Sequence, residues 1–150
     1  MYTTFQFIHS YTRWAILILA LVVLYKSFVG WQQNKAFTKS DNAMAGALIG
    51  LLHLQLILGF ILYFGLSPIT KAFLENPGFG MKIKELRFYG LEHILTMSIA
   101  VGVAQTGRIL SKKALTDTLK HKKAFIFLAI AVVLILLRIP YTNSSLFRGL

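Results

Sequence analysis

The stretch AMAGALIGLLHLQLILGFILYFGL, residues 43–66, decides how the chain reads. It holds no Asp, Glu, Lys or Arg, and it is longer than the roughly 20 apolar residues that cross a bilayer as a helix. Three further apolar runs flank it, at 5–25, 88–107 and 124–139. The last is a little short unless flanking side chains snorkel to the interface. The connections at 26–42, 67–87 and 108–123 are polar, and Pro68, Pro77, Gly78 and Gly80 act as breakers in the middle one. Short links between long helices make neighbours antiparallel. The expected fold is all-α: an integral membrane four-helix bundle running up-down-up-down, as a single domain over 1–150.

Composition agrees. Hydrophobic residues make up 56%, charged residues 14%, and mean hydropathy is +0.65. A soluble domain carries roughly a quarter charged residues, so an ordinary soluble globule is excluded, and so is disorder. The absence of Cys removes disulfides, Cys-ligated zinc and iron–sulfur clusters. The first run reads as a retained helix, not a cleaved signal peptide. It contains His9 and Arg13, lacks a basic leader, and has no small-residue cleavage site after it.

The net charge of +11 invites a nucleic-acid reading, but the cations punctuate apolar runs instead of forming one stripe. They act better as topology signals. Links 26–42 and 108–123 share a side and hold Lys26, Lys35, Lys39, Arg108, Lys112, Lys113, Lys120, Lys122 and Lys123. The other side holds Arg13, Lys71, Lys82, Lys84, Arg87, Arg138 and Arg148. Nine against seven, with Lys120-His121-Lys122-Lys123 set against a helix end, places the first group in the cytoplasm. Both termini are then outside a multi-pass inner membrane, with membrane lipid as the first partner and nucleic acid as none.

The four histidines fall one to a helix: His9, His53, His93 and His121. Ionisable groups at membrane depth face the bundle interior by default and mark function. Imidazoles on facing helices are also how a bundle holds haem iron. By helical rise, His9 and His93 lie at a common depth, roughly 7–9 Å from their segment midpoints, so they form the stronger pair. His53 lies near the midplane and His121 roughly 13–16 Å from its midpoint, at the inner rim. That makes His53 with His121 the weaker pair. His121 also reads as a solvated loop residue, and His53 as a core histidine bonded to a neighbouring helix. Small residues line up beside two of the rings: Gly46 and Gly50 with His53, and Gly90, Ala100, Ala104 and Gly107, with Met97, beside His93. They leave room for a flat macrocycle, or they serve close helix packing.

Arg13 and Arg138 are candidates to hold haem propionates, since Arg binds carboxylates bidentately. The alternative is an ion pair with Glu92, the one acid inside a span, which also suits proton carriage near a quinol site. Gln55 and Gln105 suit bonds between helices. The aromatic residues near segment ends, Trp14 and Trp31 among them, suit an interfacial belt. No phosphate loop, nucleophile elbow or zinc-protease motif is present.

Taken together, His9-Ser10-Tyr11-Thr12-Arg13-Trp14, His53 to Gly59, Arg87 to His93, Gly107-Arg108 and Lys120-His121-Lys122-Lys123 resemble the short bacterial four-helix membrane proteins called cytochrome b, loosely similar to cytochrome b561. The resemblance implies b haem, one or two per chain, ligated by His9 with His93 outside and His53 with His121 inside. A single haem between His53 and His93 is the competing assignment. It implies electron transfer linked to quinol or a respiratory complex in the bacterial inner membrane, by an electron carrier more than a classical enzyme, as a quinol or ferric oxidoreductase. Two other readings remain open: a non-redox accessory or scaffold subunit of a larger membrane complex, and a metal-ion transporter using His and Met97.

Overall fold

A computed structural model describes residues 1–141; Arg148 lies outside them. The described residues are helical, with no strand. Four long helices form the body: α1 (Tyr2–Gln32), α2 (Lys39–Phe60), α6 (His93–Lys112) and α7 (Asp117–Leu137). α2 runs on without a break into a π-helical turn, Ile61–Leu66, and a second π turn, Phe88–Glu92, leads into α6. Between them lie three short helices: α3 (Pro68–Glu75), α4 (Pro77–Gly80) and α5 (Lys84–Arg87).

The expected simple four-helix bundle is thus corrected in two respects. The connection at 67–87 is not a plain loop. Its prolines start helices instead of only breaking them: Ser67 and Asn76 accept from the backbone of Thr70 (3.4 Å) and Phe79 (3.1 Å), with Pro68 and Pro77 in the first turn. Secondly, three helices, not four, are long and apolar enough to cross a membrane: Tyr2–Gln32, Lys39–Leu66 and Lys84–Lys112. α7 carries Lys120, Lys122 and Lys123 in its first two turns, which leaves its apolar run to begin at Ala124. α1 extends beyond the expected bounds at both ends, α2 and α7 at their N-terminal ends and α6 at its C-terminal end, so the first link shrinks to 33–38.

Local signals account for the ends. Thr38 and Asp41 form a reciprocal capping box at the start of α2, at 2.9 and 3.2 Å. Thr116 caps α7 through Leu119 N–H at 3.2 Å. The chain leaves α1 through Asn34 in the left-handed region (φ 51°), which Asn tolerates better than most residues.

Contacts at the two ends fix the alternating direction. At the loop end, where α1 turns into α2 and α6 into α7, Lys26 pairs with Asp41 (2.9 Å) and Arg108 donates to Asn42 (2.7 Å). Ser111 donates to the Lys120 carbonyl there (2.8 Å). At the opposite, terminal end, Gln55 donates to the His9 carbonyl (2.8 Å) and His93 to that of Arg138 (2.9 Å). The core is narrow and shared by all four long helices: Ile16, Ala20 and Val23; Leu48 and Leu52; Ala100, Val101 and Ala104; Leu128, Ala131, Val132 and Ile135. Ala100 and Ala131 are fully buried, so α6 and α7 approach closely. Large apolar side chains instead cover the outside, with Ile18 64%, Phe64 67% and Leu137 64% exposed. That is the arrangement of a protein solvated by lipid.

Candidate functional site

Four positions converge at the terminal end: the first turns of α1, the last turns of α2, the start of α6 and the end of α7. The phase of α2 is set by Leu48, Leu52 and Leu58, which are buried, and by Gln55 reaching α1. This turns Gln55 and Gly59 toward His9. A Cβ on Gly59 would sit 3.4 Å from His9 Cε1, so the glycine lets α2 pass close to the imidazole.

His9 and His93 face one another with ring centroids 6.4 Å apart and planes at 63°. His93 Nδ1 donates to the Arg138 carbonyl, which leaves Nε2 as its acceptor. His9 Nδ1 is buried without a hydrogen-bond partner, and a buried polar atom left unsatisfied is a group in need of a ligand. The rings line a mostly apolar cavity of about 160 Å³, together with Tyr2, Gln6, Arg13, Tyr63, Tyr89, Met97 and Ile135. Gln55 Oε1, also on its wall, is buried and unpartnered.

Arg13 is buried on the same wall, its guanidinium 5.5 Å from the centre of the Trp14 ring. Glu92 takes up the other cations. It accepts from Arg87 Nε at 2.8 Å and lies 3.8 Å from Arg138 Nη1. The ion pair is therefore the structural role of the Arg138 guanidinium, while its carbonyl orients His93.

The remaining histidines are not brought together. His53 is exposed on the outer face of α2, and its Nδ1 donates to the Ile49 carbonyl of its own helix at 2.8 Å. His121 is 2% exposed, wedged against Gly30 and Phe37, with Nε2 directed at the Ala36 carbonyl (3.3 Å). It is neither a solvated loop residue nor a neighbour of another imidazole. Most of the small-residue positions serve packing. Phe73 fills the space at Gly90, Phe127 that at Gly107, and the Arg108 guanidinium that at Gly46, while Gly50 faces open space.

Tyr63, Thr70 and Phe73 also belong to this end; sequence reasoning assigned Tyr63 to the aromatic belt and passed over Thr70 and Phe73. Tyr63 donates to the Gly90 carbonyl at 2.7 Å, and Thr70 donates to the Tyr63 carbonyl at 2.6 Å. The cap-and-proline pair Ser67-Pro68 was the available signal that a helix, and hence an ordered cover, starts there.

The two imidazoles are spaced as a pair that would share one metal ion. Metal–imidazole bonds of about 2 Å, added to ring radii of about 1 Å on each side, separate the two centroids by about 6 Å. One backbone-tethered Nδ1–H is the usual outer support of such a ligand. Among the described residues, no group of three or more His, Cys, Asp or Glu is placed to hold a bare ion. No protein-family model, curated protein or solved structure matches the chain.

Proposed function

We propose that the chain is a membrane-embedded b-type cytochrome that holds one haem between His9 and His93 at its terminal end. α7 then completes a four-span bundle. The lysine-rich loop end lies in the cytoplasm, and the termini lie outside the inner membrane. The observation that carries this reading is the 6.4 Å approach of the two rings across the cavity. Haem supplies a one-electron iron couple when bound. The chain's own residues do the rest. Arg138 holds His93 with Nε2 free, and Gln55 fixes the backbone of His9. Arg13 offers a guanidinium to a propionate. The apolar wall excludes water and disfavours extra charge. The cavity, about 160 Å³, is smaller than the roughly 300–1,000 Å³ of most cofactor pockets, so a macrocycle would require Met97 and its neighbours to move. Held by both His9 and His93, the haem would favour electron transfer over oxygen chemistry, with quinol or a protein partner as donor.

The test is haem stoichiometry and the reduced-minus-oxidised spectrum of the purified protein. One haem per chain is expected. It should be lost in His93→Ala and His9→Ala and kept in His53→Ala and His121→Ala. Colourless protein from haem-replete cells would overturn the reading and favour the accessory-subunit alternative.

A further inference from the structure

At the loop end cations far outnumber acids: Lys26, Lys35, Lys39, Arg108, Lys112, Lys113, Lys120, Lys122 and Lys123 stand against Asp41 and Asp117. Asp41 is taken by Lys26 and Asp117 by Lys120. Among the described residues, Lys122 and Lys123 have no acidic partner. On the outside of this end, three rings from α1 and α7 make one wall. Phe28 and Phe125 lie 5.3 Å apart, Trp31 and Phe125 6.0 Å, and Phe28 and Trp31 6.5 Å. Phe28 is 45% exposed, and Lys122 Nζ stands 5.4 Å from the centre of the Trp31 ring. The Trp31 indole N–H has no acceptor among the described residues.

A cation and an N–H donor therefore border an apolar wall that continues along the lipid-facing side of two helices. The matching ligand has an anionic head and a hydrocarbon tail. We propose that the α1/α7 face formed by Phe28, Trp31, Phe125 and Lys122 is a binding site for an anionic phospholipid. The phosphodiester is met by Lys122 Nζ and the Trp31 N–H, and an acyl chain lies along Phe28 and Phe125. An aromatic belt alone has no preference between lipid head groups. Here the Lys122 ammonium, held over the Trp31 ring, attracts an anionic head group and repels the cationic group of a zwitterionic one. The site is independent of the haem.

The full-length chain is placed in phosphatidylcholine nanodiscs doped with brominated phosphatidylglycerol or brominated phosphatidylcholine. Quenching of Trp31 is read in a Trp14→Phe background, because Trp14 lies at the other end. The anionic lipid should reach Trp31 about five-fold more favourably, the increment that one membrane-facing lysine gives, and Lys122→Gln should bring the ratio toward one. If the Trp14→Phe chain does not fold, native mass spectrometry of the unaltered chain and of Lys122→Gln gives the same comparison as retained phosphatidylglycerol. Equal quenching by the two lipids overturns the site. So does selectivity that survives Lys122→Gln, which would mean a diffuse field. Selectivity abolished by millimolar inorganic phosphate also overturns it, assigning the face to a free anion.

Discussion

Two glycine-to-alanine substitutions in this one chain should have opposite signs. Gly90 lies in the π turn before α6, and a Cβ there would fall inside the Phe73 ring. Phe73 is itself 7% exposed and is packed against Gly80 as well, so it has little room to step back. Overpacking of this kind costs about 1–3 kcal/mol. Expulsion of the ring would approach the roughly 3–5 kcal/mol of a buried Phe→Ala change. Against this stands the roughly 0.5–1 kcal/mol that alanine gains over glycine in a helix, so Gly90→Ala should lose about 1–2 kcal/mol or more. Gly50 sits in α2 with nothing within 4 Å of a built Cβ. Gly50→Ala should keep the propensity gain and stabilise by up to about 1 kcal/mol. Unfolding in detergent micelles, followed by circular dichroism against heat or added sodium dodecyl sulfate, reads both. In a Phe73→Ala background the cost of Gly90→Ala should largely vanish, a coupling on the order of 1–3 kcal/mol. Equal tolerance of the two alanines, or full additivity with Phe73→Ala, would refute the packing of α3 against the π turn.

Three further outcomes follow from single contacts. Tyr63→Phe removes the 2.7 Å bond to the Gly90 carbonyl and should cost about 1–2 kcal/mol, measured in the same unfolding assay. His121→Ala should destabilise by on the order of 2 kcal/mol while His53→Ala stays within about 0.5 kcal/mol; the reverse order would contradict the burial of one ring and the exposure of the other. Asp117 is held below the ordinary carboxylate range, first by the Phe37 backbone N–H and then by Lys120. A depressed folded value means that its contribution is fully present above about pH 4 and is lost as pH falls through the lower, folded value. An acid titration of stability should therefore flatten in that window in Asp117→Asn.

The membrane character, the helicity of the long runs and the approach of His9 to His93 were legible. Each depends on quantities that act along one helix: apolar length, period and rise. The His53/His121 pair was less so. Its members failed to meet because rotation about the helix axis is set by contacts with other helices. Leu52, buried, and Gln55, bonded to α1, turn inward, and His53, about 100° from Leu52, is then turned out. The glycine stripes were ambiguous for a related reason. Spacing marks a small position but not what fills it, and here Phe73, Phe127 and Arg108 do. The short helices at 67–87 were readable in principle from Ser67-Pro68 and Asn76-Pro77. The π turns were not, because they depend on partners far away in sequence.

Those turns explain why the terminal end differs from the loop end. In a π turn the hydrogen bond spans five residues, as from His93 N–H to the Phe88 carbonyl and from Ser67 N–H to that of Leu62. In an α-helix, residues five apart point about 140° away from each other. Arg87 and Glu92 are five apart, and they meet at 2.8 Å because the π turn brings them into register. Glu92 then reaches Arg138, whose carbonyl accepts a hydrogen bond from His93 Nδ1–H. One extra residue per turn thus sets the ion pair, and the ion pair and carbonyl together tie the end of α7 to His93. The other π turn supplies Tyr63, which closes on the Gly90 carbonyl within the first, and Thr70 satisfies the carbonyl that Tyr63 itself leaves over. Both irregular turns lie at the end of the bundle where His9 and His93 approach one another, and Tyr63 and Thr70 satisfy two of the carbonyls there.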